Sequence, residues 1–235
     1  MATYLYCLLR ASGDPPAGLA GIDDARVRAV DLGGLVAWVS DVAETTIAPS
    51  PARAQAHDRV VRAALERATP LPARFGQVLA DEVELRTALS ARREALESAL
   101  QRVDGAVEMT VRMLVRSADR QEAPGRAEAD AQSVTSGRAY LQQIAAIQRE
   151  ERNVLAKAQL VRDQVSSVVQ GLVRAESLAG ATAGSSLVTV SHLVPRENIG
   201  AYRSALQALR QEDATLAIMV SGPWAPYSFT EGISA

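Results

Sequence analysis

Residues 137–172 read GRAYLQQIAAIQREERNVLAKAQLVRDQVSSVVQGL. Tyr140, Ile144, Ile147, Glu151, Val154, Ala158, Val161, Val165, Val168 and Leu172 alternate steps of four and three, which keeps one narrow stripe on one side of a helix. No proline interrupts the run, and no glycine inside it before Gly171. At 1.5 Å per residue such a helix reaches roughly 50 Å, so it must pack along both halves of the chain, bend, or protrude towards a partner. Glu151 breaks the stripe. Either the helix turns that position to water, with Leu155 and Val169 taking part of the buried face, or Glu151 specifies register against a partner.

Outward from this helix the second half has a simple rhythm. Before it, Ala106–Val115 alternates Val107, Met109, Val111, Met113 and Val115 on one face of a strand. Ser117–Ser136 is polar, charged and aperiodic, and reads as an insertion or linker. After the helix, Ala179–Gly184 is a small-residue break and Ser186–Val194 a strand. Pro195 starts a helix with Ile199, Tyr202, Leu206 and Leu209 inward, and Ala214–Val220 is a last strand. Strand, long helix, strand, helix, strand predicts a small sheet with helices on one face, akin to a ferredoxin-like α+β sandwich.

The first half uses similar ingredients in another order. Thr3–Leu9 is apolar on both faces and predicts a central strand. Arg26–Val30 and Leu35–Val39 form a hairpin around Gly33-Gly34. Ser50-Pro51 opens a helix, with His57, Val61, Ala64, Leu65 and Ala68 on its inner face, which Thr69-Pro70-Leu71-Pro72 stops. Arg74–Leu79 reads as a strand or an extended connector. Asp81 caps one further helix with Leu85, Leu89, Leu96, Leu100 and Val103 inward, ended by Gly105. The expected organisation is two α+β domains, 1–104 and 105–235, the second carrying the 117–136 insertion and an aromatic tail at 222–229.

Composition excludes several classes. The chain of 235 residues is 48% hydrophobic, enough for packed cores. A net charge of -2 gives no basic field for nucleic acid. Lys157 is the only lysine, which fits coding bias better than function. A single cysteine, Cys7, permits no intrachain disulfide or thiolate cluster, and its apolar neighbours make it a small buried hydrophobe. No run nears the roughly 20 apolar residues of a membrane span, and no signal-peptide pattern opens the chain. A soluble cytoplasmic protein, with no membrane association, is expected.

Reactive chemistry finds no constellation, so the residues by themselves name no function. His57 on a helix face and His192 in a strand lack partners at triad or metal-ligand spacing. Gly33-Gly34 lacks the helix of a phosphate-binding loop, and Asp23-Asp24 is a turn pair. No catalytic, cofactor-binding or metal-binding residue is predicted, and no cofactor. The strongest candidate for binding is the tail. Trp224, Tyr227 and Phe229 are three of the nine aromatic residues, gathered within six positions and stiffened by two prolines. The alternative is that this tail caps its own sheet.

Six segments in order carry a resemblance. They are Tyr4-Leu5-Tyr6, Leu71-Pro72-Ala73-Arg74-Phe75-Gly76-Gln77-Val78, Val107-Glu108-Met109-Thr110-Val111-Arg112, Gly137-Arg138-Ala139-Tyr140-Leu141, Leu193-Val194-Pro195 and Gly222-Pro223-Trp224-Ala225-Pro226-Tyr227-Ser228-Phe229. In these the chain resembles the gas vesicle protein F/L family along nearly its full length. Gln77, Arg138 and Ala225 depart from that pattern, and the match does not separate F from L. The resemblance implies a non-enzymatic accessory protein of gas vesicle assembly, cytoplasmic or on the vesicle. Its expected partners are the hydrophobic major shell protein and other gas vesicle accessory proteins. It also implies two α+β domains, the second a modified ferredoxin-like one. Trp224, Tyr227 and Phe229 become the expected shell contacts. Arg74, Phe75 and Gly76 are expected to stabilise the first domain, Gly76 by its backbone conformation and Arg74 by an ion pair. The rival reading is a small-molecule binding or sensing protein with a ferredoxin-like pocket. A weaker third is an enzyme using His57 or His192.

Overall fold

The chain's computed structural model describes residues 1–10, 13–114, 152, 156–157, 159–179, 187–212 and 217–230. The expected insertion at 117–136, Tyr140, Leu141, Glu151 and most of the long helix lie outside them. The described elements are α+β, with two antiparallel sheets.

The first sheet is built on β1 (Ala2–Arg10), which pairs with β3 (Leu35–Val42) on one side. On the other side lie two short strands, β4 (Leu71–Pro72) and β5 (Val78–Leu79). The hairpin partner β2 (Arg28–Asp31) completes the order β2-β3-β1-β4. β1 is central and buried along almost all its length, as its two apolar faces predict. A bulge lies between Leu5 and Cys7, where Leu5 pairs with Val39 and Cys7 with Trp38. The extra residue shifts the alternation, so Tyr4, Tyr6, Cys7 and Leu9 face one core while Leu5 and Leu8 face the other.

Helices cover both faces. α1 (Pro51–Leu65) is capped by the Ser50 hydroxyl, which accepts from Arg53 N at 3.2 Å, and packs Ala56, Val60, Val61 and Ala64 on the Tyr4 side. Ala68, expected on the inner face, is exposed because α1 ends at Leu65. The single helix expected after Asp81 is two: α2 (Glu82–Ser90) and α3 (Arg93–Val103). Arg92, at φ -119 and ψ 15, breaks the helical path. Both helices still deliver the predicted leucines to the Leu5 side of the sheet. Arg28 ties the layers together at their rim, pairing with Asp41 at 2.8 Å and Glu82 at 2.7 Å.

The second sheet has the order β7-β8-β6-β9, with β6 spanning Ala106–Leu114, β7 Ala175–Ala179, β8 Leu187–Pro195 and β9 Ala217–Trp224. All its neighbouring strands are antiparallel, so each pair joined through a helix is parallel and leaves room for one strand between. This is the split β-α-β arrangement of a ferredoxin-like sheet. No local sequence pattern predicts β7. Its Ala-Glu-Ser-Leu-Ala sequence has low strand propensity, and pairing with β8 supplies what propensity does not. β9 also runs on to Trp224, past the expected end at Val220.

One face of this sheet carries Val107, Met109, Val111 and Met113 against α4, a helix described over 159–169, and α5 (Ile199–Glu212). In α4 the buried positions are Val165 and Val169, with Val161 partly buried, while Val168 is 37% exposed. Steps of four therefore replace the expected stripe through Val168 over 161–169, because this part of the helix packs on a sheet, and sheet packing does not demand a 3.5-residue period.

The cores of the two sheets share residues. Ala106 and Leu193 of the second sheet join the core of α2 and α3. Leu65 of α1 joins the second sheet's core, and Ala225 joins the core around Tyr4 and Trp38. Thr69 donates its hydroxyl proton to the Ala106 carbonyl at 2.9 Å across the same junction.

Candidate functional site

The tail is where the two sheets meet. β9 reaches it through a second bulge, Thr110 pairing with Ser221 but Glu108 with Trp224. Gly222, at φ 119, occupies the bulge, and Pro223 follows across a cis peptide bond. A Cβ on Gly222 would sit 2.8 Å from the Glu108 carbonyl oxygen and 2.9 Å from Met109 Sδ, so only glycine fits. Beyond it the chain folds back over the junction.

Glu108 holds that return. It lies on β6 facing away from α4 and α5, and is 6% exposed. Oε1 accepts from the hydroxyls of Ser191 and Ser228, both at 2.8 Å, and Oε2 accepts from the Ser228 backbone N–H at 2.8 Å. A charged acceptor with three donors suits a buried carboxylate, and no described cation stands within ion-pair distance of it. Sequence reasoning singled out the aromatics here and missed Glu108, whose partner Ser228 is 120 positions away.

The three tail aromatics have different environments. Trp224 is half-buried, with the Arg62 guanidinium of α1 lying 4.8 Å from its ring centroid. Phe229 packs against the core of α2 and α3. Tyr227 is 39% exposed, while burial around its hydroxyl raises the phenol's pKa. The tail thus braces both halves and still presents one aromatic ring.

The connector motif builds a second aromatic group. Gly76, at φ 85, turns the chain so that its N–H donates to the Tyr4 hydroxyl at 3.0 Å. The Tyr4 oxygen lies 2.8 Å from His57 Nδ1, and Phe75 meets both rings edge-on. Gly76 N–H and His57 Nδ1 thus meet the same Tyr4 oxygen, while His57 Nε2 is buried with no hydrogen-bond partner among the described residues. Burial pushes the His57 pKa down to about 4, offset only in part by the Ala73 backbone and Asp58. Burial also pushes Tyr4 up to about 12. Arg74 is exposed, with no ion pair to a described residue.

His192 is equally enclosed. Its Nδ1 lies 2.8 Å from the Tyr202 hydroxyl, and its Nε2 lies 3.4 Å from Glu176, which also accepts from Ser166 at 2.6 Å. Burial lowers the His192 pKa against the pull of Glu176. The chain links β8, α5, β7 and α4, which is a buttress for the helical layer. Cys7 is buried, and desolvation raises its thiol pKa. Among the described residues no group of three or more His, Cys, Asp or Glu could hold a metal ion.

The remaining feature is the sheet face opposite α4 and α5. α3 and the tail cover one end of it, through Ala106, Leu193 and Phe229. At the other end Leu114 stands between Leu187 and Ala217, and Arg112 between Thr189 and Met219. Leu114, Leu187 and Met219 are 43%, 44% and 58% exposed, an apolar group on adjacent strands.

Comparison with known proteins gives a consistent result. The family model described as gas vesicle synthesis protein GvpL/GvpF matches residues 2–231. The chain is 31% identical to gas vesicle protein F of Streptomyces sp. (strain CB03234), covering 98% of this chain and all of that protein. It is 25% identical to gas vesicle protein L of the same strain, over 96% of this chain and 91% of that one. The crystal structure of GvpF from Anabaena sp. PCC7120 superposes with a TM-score of 0.80 at 20% identity, covering 98% of this chain and 96% of that one.

Proposed function

The chain belongs to the gas vesicle synthesis protein GvpL/GvpF family, with a role in gas vesicle formation, and from that premise we propose that it binds the hydrophobic major shell protein during assembly. It acts without catalysis, as an accessory that keeps shell subunits competent to assemble. The physical need is plain. A shell subunit must turn a large apolar face to the gas, and before assembly that face is an aggregation hazard.

The observation that supports this reading is the apolar end of the open sheet face, formed by Leu114, Leu187, Ala217 and Met219. Exposed side chains on neighbouring strands offer a contact that persists at high salt, since it depends on apolar burial. Tyr227 adds an aromatic contact from the tail. Trp224 and Phe229 contribute by holding the tail in place. Other gas vesicle accessory proteins are further partners in this reading, and the vesicle or its assembly site is where the chain works. Among the described residues no helix is long and apolar enough to cross a membrane.

The test is co-expression with the major shell protein, then pull-down at moderate and high salt. The Leu187→Ser/Met219→Ser and Tyr227→Ala variants run alongside, each checked for fold by circular dichroism. Salt-resistant capture that disappears in the folded sheet-face variant and weakens in Tyr227→Ala is expected. Capture unchanged in both would move the contact to another surface. Absence of capture under every condition would overturn shell binding.

A further inference from the structure

Independently of shell binding, we propose that the cleft between α3, β7 and the tail is a binding site for a small organic carboxylate with an apolar body. The cleft measures about 460 Å³, which lies within the range of ordinary ligand sites. It opens where the two sheets meet, on the opposite end of the sheet face from Leu114 and Met219.

Its lining defines the chemistry. Arg102, in the last turn of α3, is exposed, and no described residue pairs with its guanidinium. Arg174 stands nearby, anchored by donating to the Asp104 carbonyl. Two guanidinium groups on one cleft suit a carboxylate, whose two oxygens match the planar fork of an arginine. Ala175 and Phe229 give the same cleft an apolar wall, and Ser177 and Ser228 add hydroxyls. A ligand there must satisfy both kinds of surface.

Charge balance limits the ligand to one negative group. Glu176 backs the cleft, but Ser166 and His192 hold its carboxylate on the helical face of the sheet; the negative group on the cleft's own face is Glu108, which holds the lining Ser228 and offsets one of the two arginines. The carbonyl end of α3 adds partial negative charge. A phosphate dianion or polyphosphate would be undercompensated, and the apolar wall would strip its hydration without replacement. A monocarboxylate carried on a hydrocarbon or aromatic body meets neither objection.

Titration of the full chain with hexanoate, octanoate and benzoate, followed by calorimetry and by backbone amide chemical shifts, tests the site. n-Octanol supplies the body without the charge, and inorganic phosphate the charge without the body. Saturable binding of at least one carboxylate is expected, with shifts at Ser177, Ser228 and Phe229, and no saturable binding of either control. Because Arg102 supports no described contact, Arg102→Gln and Arg102→Glu should keep the fold. Affinity should fall about fivefold in the first and about tenfold or more in the second, the scale of a lost and a reversed exposed charge contact. Carboxylate binding unchanged in Arg102→Glu would overturn the proposal. So would shifts confined to Leu187 and Met219, octanol binding as well as octanoate, or saturable binding by none of the three acids. Shell capture is measured separately, so either result leaves the assembly reading standing or falling alone.

Discussion

Replacing Glu108 by alanine removes the acceptor that holds the tail. Three donors lose their partner: the Ser191 hydroxyl, the Ser228 hydroxyl and the Ser228 backbone N–H, each now at 2.8 Å. Hydrogen bonds to a charged group contribute about 1.5–3 kcal/mol each, but the losses do not simply add. The serine hydroxyls lie 3.2 Å apart and can bond to each other once a proton no longer goes to the carboxylate, and the cost of burying that carboxylate disappears with it. A net loss of about 3 kcal/mol follows, equivalent to a melting temperature lowered by roughly 6–12 °C for a chain of this size. Glu108→Gln keeps an oxygen for the Ser228 N–H and an amide for the hydroxyls, so it should lose only about 1 kcal/mol. The assay combines thermal melting with hydrogen exchange, and faster exchange should concentrate at residues 225–229. Were Glu108→Ala to cost under about 1 kcal/mol with tail exchange unchanged, the carboxylate would not be what secures the tail.

Two further predictions concern stability. Gly222→Ala places a Cβ 2.8 Å from the Glu108 carbonyl at φ 119, and should cost about 2–4 kcal/mol in urea titration; a loss within experimental error would contradict the bulge geometry. His57 has a folded pKa near 4 against 6.5 in the unfolded chain, so between these values the unfolded state binds more protons. Its contribution is therefore fully present above pH 6.5 and is lost as pH falls towards 4, by about 3 kcal/mol in all. His192 acts in the same direction, as do Asp23, Asp41 and Glu82, whose ion pairs with arginine lower their pKa values. The measurable quantity is thus the difference between wild type and His57→Phe, whose stability should fall less steeply from pH 7.5 to 4.5. Parallel curves would place His57's titration outside the folding equilibrium.

Where local pattern and tertiary demand agree, the sequence is easily read. Val107, Met109, Val111 and Met113 alternate because one face of β6 meets two helices, and Ser50-Pro51 caps α1 as its chemistry requires. The cap and the alternation are local, so no long-range knowledge is needed. β7 is legible only through its partner β8, since Ala175, Glu176 and Ser177 carry no strand signal of their own. Gly222-Pro223 looks like the end of a strand, yet a bulge lets β9 continue through it. The break between α2 and α3 occurs at Ala91-Arg92, without the proline or glycine that ordinarily marks one. At the tail, aromatic clustering picks out the segment that packs where the two sheets meet, but its anchoring depends on Glu108, Ser191 and Arg62, all remote in sequence. Periodicity says which residues are apolar together and nothing about which distant carboxylate a serine will meet.

The sharing of core residues between the two sheets bears on how the chain is made. Ala225 fills a place in the core of β1 and α1, and Trp224 lies under Arg62 of α1, which is synthesised far earlier. At 5–20 residues per second, the ribosome takes on the order of ten seconds to travel from α1 to the tail. During that interval the amino-terminal sheet stands with one wall incomplete and apolar groups reachable by other chains. That wall is completed only once Trp224 and Ala225 have emerged, so a ribosome that stalls or stops short of Trp224 should release a nascent chain prone to association. A fluorescent partner fused behind residue 235 would report only chains that have passed this point.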